Sequence, residues 1–425
     1  MDKRLLHTPE GVRDIYDKEC SDKLAVQEKI HRLFHLSGYH DIQTPSFEFF
    51  DIFNKERGSV ASKNMYKFFD REGNTLVLRP DMTPAIARAA SKFYMDEIMP
   101  LRFCYAGNTF INHSELQGKL KEITQLGVEL IGDVSVYADA EVIALTVRGL
   151  LEAGVKEFQV SIGHMDYFKG IVDDLGLDPD VESELLRLIE GKNYFGMEEL
   201  LAPLSIADAH KEALLKLPGL FGQDDALKKA SELTENKKSL AAVERLRTLM
   251  CLLEEEGLKS YVSFDLGMVS MYHYYTGIVF RAYTYGTGDA VAAGGRYDHL
   301  LAQFGKNAAA VGFGLNLDQL LIAMRRQKLE IEGQNREVHV VFAPSAPGAR
   351  QAAGKFAAHL RAQGICVQVN PQDDSHSAED YLRYAKQAGA DGLYFFGPAA
   401  ADGVVEVADL GAETWEKVKM EEVIL

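Results

Sequence analysis

Apolar residues recur along the chain with two different periods, and the change of period marks out the elements. From Asp17 to His35, Val26, Ile30, Leu33 and Phe34 fall at helical spacing and Gly38 follows where a helix would end, which predicts an amphipathic first helix. The run Tyr39 to Glu48 is extended and interrupted by Pro45, so it suits an edge or interface strand better than a central one. Strand-like runs follow at Thr75 to Leu78, Leu101 to Tyr105, Ile123 to Ile131 and Phe158 to Ile162, with helices fitting at Pro84 to Phe93 and Ala138 to Ala153. Leucine-rich helical sequence with short polar breaks fills Tyr167 to Gly257. Beyond it Tyr272 to Tyr283, Ala290 to Ala293 and Val311 to Leu317 return to strand, the last passing into a helix near Asp318.

A mainly antiparallel sheet with an inserted helical bundle follows, an α+β core over residues 1–328 with the insertion at about 167–257. The polar stretch 329–337, with Gly333-Gln334-Asn335, predicts a linker. In the tail, 338–425, short apolar strands at Val338 to Phe342, Ile365 to Val369 and Gly392 to Phe396 alternate with helical stretches near Arg350 to Leu360 and Ala378 to Gln387. That alternation is expected of a parallel α/β layer.

Composition narrows the class. A chain of 425 residues is too long for one core and predicts two or three domains. With 47% hydrophobic and 26% charged residues it has the balance of a chain folded throughout. No apolar run approaches the roughly 20 residues that cross a bilayer, and the amino terminus is polar, so a cytoplasmic protein without membrane attachment is expected. Cys20, Cys104, Cys251 and Cys366 show neither CxxC spacing nor histidines at ligand spacing, which predicts free, mostly buried thiols and no metal site. The net charge of −17 weighs against a nucleic-acid ligand.

Four clusters carry candidate chemistry. In Leu78-Arg79-Pro80-Asp81-Met82-Thr83-Pro84, Asp81 and Thr83 stand where a helix begins, and amino-terminal capping is the plainer reading of Thr83. In the strand Ile123 to Ile131, period two puts Leu126, Val128 and Leu130 on one face and Gln125, Gly127 and Glu129 on the other, where a mid-strand glycine suggests close approach by a ligand or another backbone. Tyr272 to Gly277 is an aromatic run that core packing alone would explain. Paired glycines in Gly294-Gly295-Arg296-Tyr297-Asp298 permit a tight turn beside side chains able to donate to a small polar ligand, although Arg296 would serve equally as a scaffold for Asp298.

These clusters, with Pro45, Phe47-Glu48 and Val311 to Leu315, stand in the order found in histidyl-tRNA synthetases, and the segment from Val338 resembles that family's anticodon-binding domain. The resemblance spans nearly the whole chain. It implies a class II aminoacyl-tRNA synthetase-like antiparallel sheet whose floor binds histidine. Asp81, one methylene shorter than the family's usual Glu, would take the substrate ammonium with Thr83 and Gln125. Glu129 and Tyr275 would hold the imidazole, and Tyr297 would close the pocket.

The sequence departs from the synthetase pattern where ATP would react. Adenylate formation needs fixed positive charge around the α-phosphate, which class II synthetases supply with arginines. The three arginine positions hold Ile111, Ser270 and Gln319. Losing one such charge costs on the order of 100-fold in rate, so three losses argue against catalysis. A histidine floor without the ATP roof resembles the histidyl-tRNA synthetase-like regulatory subunits of ATP phosphoribosyltransferase. Those chains make no adenylate, need no cofactor, self-associate as dimers and assemble with a short-form catalytic subunit, typically as a hetero-octamer, to give activity and feedback inhibition by histidine. A divergent histidyl-tRNA synthetase is the main rival, and a histidine sensor with another partner is the third reading. Against tRNA stands the tail, where residues 346–425 hold seven basic and twelve acidic side chains.

Overall fold

The computed structural model describes residues 6–53, 60–98, 100–113, 119–269, 274–331 and 336–423. The chain divides into two compact units, 1–331 and 332–425. In chain order the first unit carries α1 (Asp17–Leu36), β1 (His40–Asp41), β2 (Phe47–Phe49), β3 (Lys67–Phe69), β4 (Thr75–Leu78), α2 (Thr83–Phe93), β5 (Leu101–Phe110), β6 (Glu122–Ile131), α3 (Val136–Glu152) and β7 (Phe158–His164). Six helices come next, α4 (Met165–Asp173), α5 (Pro179–Glu190), α6 (Tyr194–Leu201), α7 (Asp208–Lys216), α8 (Asp224–Glu232) and α9 (Lys237–Glu255), with the short strand β8 (Phe221–Gly222) between α7 and α8. The unit closes with β9 (Val262–Asp265), β10 (Ile278–Thr284), β11 (Ala292–Arg296), β12 (Ala310–Asn316) and α10 (Leu317–Arg326).

Nine strands form the main sheet in the order β1-β5-β6-β12-β11-β10-β7-β9-β8, parallel only between β1 and β5 and between β7 and β9. Alternation in β6 explains how the sheet is covered. Leu126, Val128 and Leu130 are fully buried in one cluster with Val26, Ile30 and Phe34 of α1, whose spacing of four residues makes one helical stripe. The Phe34 ring meets Phe313 of β12 edge-on, with centroids 5.8 Å apart. The opposite face carries a second cluster that includes Met82, Ile86, Tyr105, Tyr274 and Tyr297. Helix α3 starts at Ser135, whose side chain accepts from the Ala138 N–H, and lies on the same side as α1.

One buried ion cluster ties α3 to the sheet. Asp139 has no exposed surface and accepts from Arg296 Nε and Nη2 at 2.8 and 2.6 Å and from Arg245 Nε at 2.7 Å. Arg296 also donates to Asp298 at 3.2 Å and to the carbonyls of Asp133 and Ser135, which makes it a scaffold.

The second unit holds β13 (Glu337–Phe342), α11 (Ala349–Ala362), β14 (Cys366–Pro371), α12 (Ala378–Ala388), β15 (Gly392–Phe396), β16 (Val404–Asp409) and β17 (Thr414–Lys419). Its sheet order is β14-β13-β15-β16-β17, parallel among the first three and antiparallel thereafter.

Several sequence expectations change. The strand expected from Tyr272 starts at Ile278, and residues 270–273 lie outside the described ones. Gly294 and Gly295 make no turn. They lie inside β11, where a Cβ on Gly294 would stand 2.3 Å from the Gly312 carbonyl oxygen and one on Gly295 2.7 Å from Tyr275 Cε1. The helical insertion contains β8, and β9 beyond it extends the main sheet; both runs are short. Strands β16 and β17 carry charged side chains such as Glu406 and Lys417 on open faces, so no apolar run marked them. Leu329 and Ile331 pack against the first core and Glu337 opens β13, and residues 332–335 between them lie outside the described ones. Among the cysteines only Cys104 is buried; Cys20 is half-buried, Cys251 and Cys366 are exposed, and all four are free thiols.

Candidate functional site

A cavity of about 260 Å³ opens on the face of the main sheet that carries α2. Register builds its floor. Gly312 of β12 stands opposite Glu129 of β6, and Gly314 opposite Gly127. A Cβ on Gly312 would lie 1.8 Å from Glu129 Oε2, and one on Gly314 1.7 Å from Gln125 Nε2, so the two glycines are the space into which these side chains lean. Gly127 has a different cause, since the Phe313 carbonyl and the Tyr105 hydroxyl fill the place of its Cβ. The close approach suspected there is made by the protein itself.

Asp81, Thr83, Gln125, Glu129, Tyr275 and Tyr297 all line this one cavity. Glu129 is 1% exposed. Its Oε1 accepts from the Thr83 hydroxyl at 2.7 Å and its Oε2 from the Tyr297 hydroxyl. Thr83 therefore does not cap its helix; the Asp81 carboxylate accepts the Thr83 N–H instead, at 3.2 Å. Asp81 also accepts from Tyr274 at 3.2 Å. Gln125 donates to the Tyr105 oxygen at 3.3 Å, and Tyr105 donates to the Phe313 carbonyl at 3.4 Å. Tyr105, which supports Gln125 from behind, and Asn316 in the lining were not legible as site residues, because an aromatic or a cap-forming Asn reads as packing or as a helix start until the sheet is closed.

Burial pushes the Glu129 carboxyl up to about 8, against the Tyr297 and Thr83 hydroxyls that stabilise its anion, and the nearby Asp81 charge adds to the rise. Glu129 thus holds a proton across much of the neutral range. Among the described residues the lining carries these two carboxyls and no lysine or arginine. Arg79, in the motif beside Asp81, sends its guanidinium to the carbonyls of Thr44, Pro45 and Asn108 at 2.6, 3.2 and 2.8 Å and is not in the lining. The cavity suits a small molecule bearing a cation or several N–H donors, and its described lining offers no neutralising charge to a triphosphate.

Of the three positions where arginines were expected to be replaced, Ile111 lines the cavity, Gln319 stands in the first turn of α10 with its N–H on Asn316 Oδ1, and Ser270 lies outside the described residues.

A profile of the family described as histidyl-tRNA synthetase matches residues 11–320. The ATP phosphoribosyltransferase regulatory subunit of Acetivibrio thermocellus is 39% identical over 377 residues, covering 88% of this chain and 90% of its own. The protein of the same name from Clostridium acetobutylicum is 36% identical, covering 88% and 92%. The chain belongs to the family of ATP phosphoribosyltransferase regulatory subunits, on the histidyl-tRNA synthetase fold. Within that family a solved structure of an ATP phosphoribosyltransferase regulatory subunit/histidyl-tRNA synthetase from Bacillus halodurans C superposes with a TM-score of 0.81 at 32% identity, covering 92% of this chain and 98% of that one. Histidyl-tRNA synthetase from Nostoc sp. PCC 7120 gives the same TM-score of 0.81 at 19% identity, a likeness of fold alone. Among the described residues no helix is long and apolar enough to cross a membrane.

Proposed function

We propose that this chain is a non-catalytic regulatory subunit that binds histidine in the sheet cavity and controls a short-form ATP phosphoribosyltransferase catalytic subunit, as a dimer within a hetero-octamer. The observation that carries the reading is a cavity of amino-acid size lined by Asp81 and Glu129 without a described cation. Asp81, Thr83 and Gln125 receive the ammonium group, Glu129 and Tyr275 the imidazole, and Tyr297 closes the site by holding Glu129. With Ile111 at its wall, the described lining holds no group to stabilise charge on an α-phosphate, which supports a chain that forms no adenylate. Regulation follows from linkage: histidine shifts the assembly toward the state that binds it better, by the difference in affinity.

The test is the activity of the short-form catalytic subunit with and without this chain across a histidine titration. Activity is expected only with the chain present, falling as histidine rises. The chain alone is expected to bind histidine, and Glu129→Ala to weaken that binding by about tenfold or more, since a buried hydrogen-bond partner is removed and the groups that faced it are left unpaired. Histidine-dependent ATP–pyrophosphate exchange clearly above background would establish the synthetase reading instead.

A further inference from the structure

On the other face of the sheet from the cavity, at its β1 edge two strands from Glu129, four metal-binding side chains from three elements converge. The apolar stripe Val26, Ile30, Phe34 turns one face of α1 to the core. His31 and His35, one residue further round and four apart, therefore sit one above the other on its flank, with ring centroids 4.6 Å apart. Strand β1 is only two residues long, and its parallel register with β5 sets Asp41 beside Cys104. Side chains at paired positions share a face, so both reach toward the helix.

The donor atoms meet. His31 Nε2 lies 2.6 Å from Asp41 Oδ1 and His35 Nε2 3.0 Å from Asp41 Oδ2. Cys104 Sγ lies 3.6 Å from Asp41 Oδ1 and 3.8 Å from His31 Nε2, and all four ligand atoms fall within 4.8 Å of one another. Zinc bonds of about 2.0–2.3 Å set the edges of a coordination tetrahedron at roughly 3.3–3.6 Å. Imidazole–carboxylate pairing explains the two short contacts. The thiol donates a weak sulfur hydrogen bond to Asp41, and both of its contacts also lie close to the length of a tetrahedron edge.

We infer that His31, His35, Asp41 and Cys104 form a structural site for a divalent transition metal of the zinc class. Two imidazoles, a thiolate and a carboxylate make a borderline-soft, four-donor set, which suits tetrahedral Zn²⁺ and leaves no open position for catalysis. The cation would enter past His35 and Asp41, whose side chains are 47% and 54% exposed, while Cys104 closes the set from the core. Binding expels the thiol proton, so affinity rises with pH. The effect is to fasten the carboxy-terminal end of α1 to the short edge strand. The site shares no residue with the cavity and stands or falls apart from the histidine reading. The sequence expectation of no metal site came from cysteine spacing and passed over the i, i+4 pair His31 and His35, which Cys104 and Asp41 join only through the β1–β5 ladder.

The test uses the full-length chain, stripped with a chelator and titrated with Co²⁺ and then Zn²⁺. One equivalent of Co²⁺ per chain is expected, with a thiolate-to-metal charge-transfer band and tetrahedral d–d bands that Zn²⁺ abolishes. Cys104→Ser should remove the charge-transfer band. His35→Gln, at an exposed position that keeps the fold, should weaken binding by more than about 100-fold and cancel the rise in Tm that Zn²⁺ gives the parent chain. Absence of a one-equivalent phase in the parent chain overturns the site, and so does a charge-transfer band that persists in Cys104→Ser.

Discussion

At the residue scale, Glu129 shows how neighbours set a side chain's chemistry. Gly312 makes room for it, Thr83 and Tyr297 take one oxygen each, and burial still dominates, so the folded protein keeps the carboxyl protonated up to about 8. An unfolded chain releases that proton near 4.5. Between those values the folded state binds more protons, so its stability falls as pH rises through the window, and the contribution is complete only below about 4.5. Urea unfolding of Glu129→Gln, which cannot titrate, should show this decline reduced by on the order of a few kcal/mol across the window. A slope identical to that of the parent chain would assign the titration to other groups.

At the scale of elements, α3 and β11 depend on one another through Asp139. Its carboxylate lies wholly inside the protein, between Arg296, whose side chain is 4% exposed, and Arg245. His164 belongs to the same neighbourhood. Its Nδ1 accepts the Asp166 N–H at the start of α4, and burial together with the Arg245 and Arg296 charges holds its pKa down at about 3, so it stays neutral. Removing one partner of a buried ion pair leaves the others desolvated and unpaired, which costs about 3–5 kcal/mol. Asp139→Ala should therefore lower the urea midpoint by that equivalent, whereas truncating the exposed Glu184, paired with Arg187 on α5, should leave it nearly unchanged, because water screens an exposed pair. A loss below about 1 kcal/mol for Asp139→Ala would show that water or another group replaces the carboxylate.

At the scale of the molecule, each unit has its own core. Val338, Val340, Phe356, Leu360 and Phe396 close the second one without a residue from the first. Calorimetry of the full chain should resolve two unfolding transitions, and a chain ending at residue 331 should keep one of them. A single transition lost altogether on truncation would mean that the units fold as one body. The net charge of −17 belongs to this scale too, because it governs partners and not fold.

Much of the fold is legible in the sequence itself. Periodicity alone placed α1, β4, β6 and β15 to within a residue or two, because a half-buried helix or strand has to show its apolar face at a fixed period. The order of motifs brought forward Asp81, Thr83, Gln125, Glu129, Tyr275 and Tyr297, which the sheet gathers around one cavity. What the sequence could not express are contacts between residues far apart along it. That Gly294 and Gly295 run through a strand, that Thr83 serves Glu129 and not its own helix, and that Cys104 lies beside Asp41 are all consequences of strand register. Register is decided by the burial of whole faces, a property of the closed sheet that no local run of residues contains.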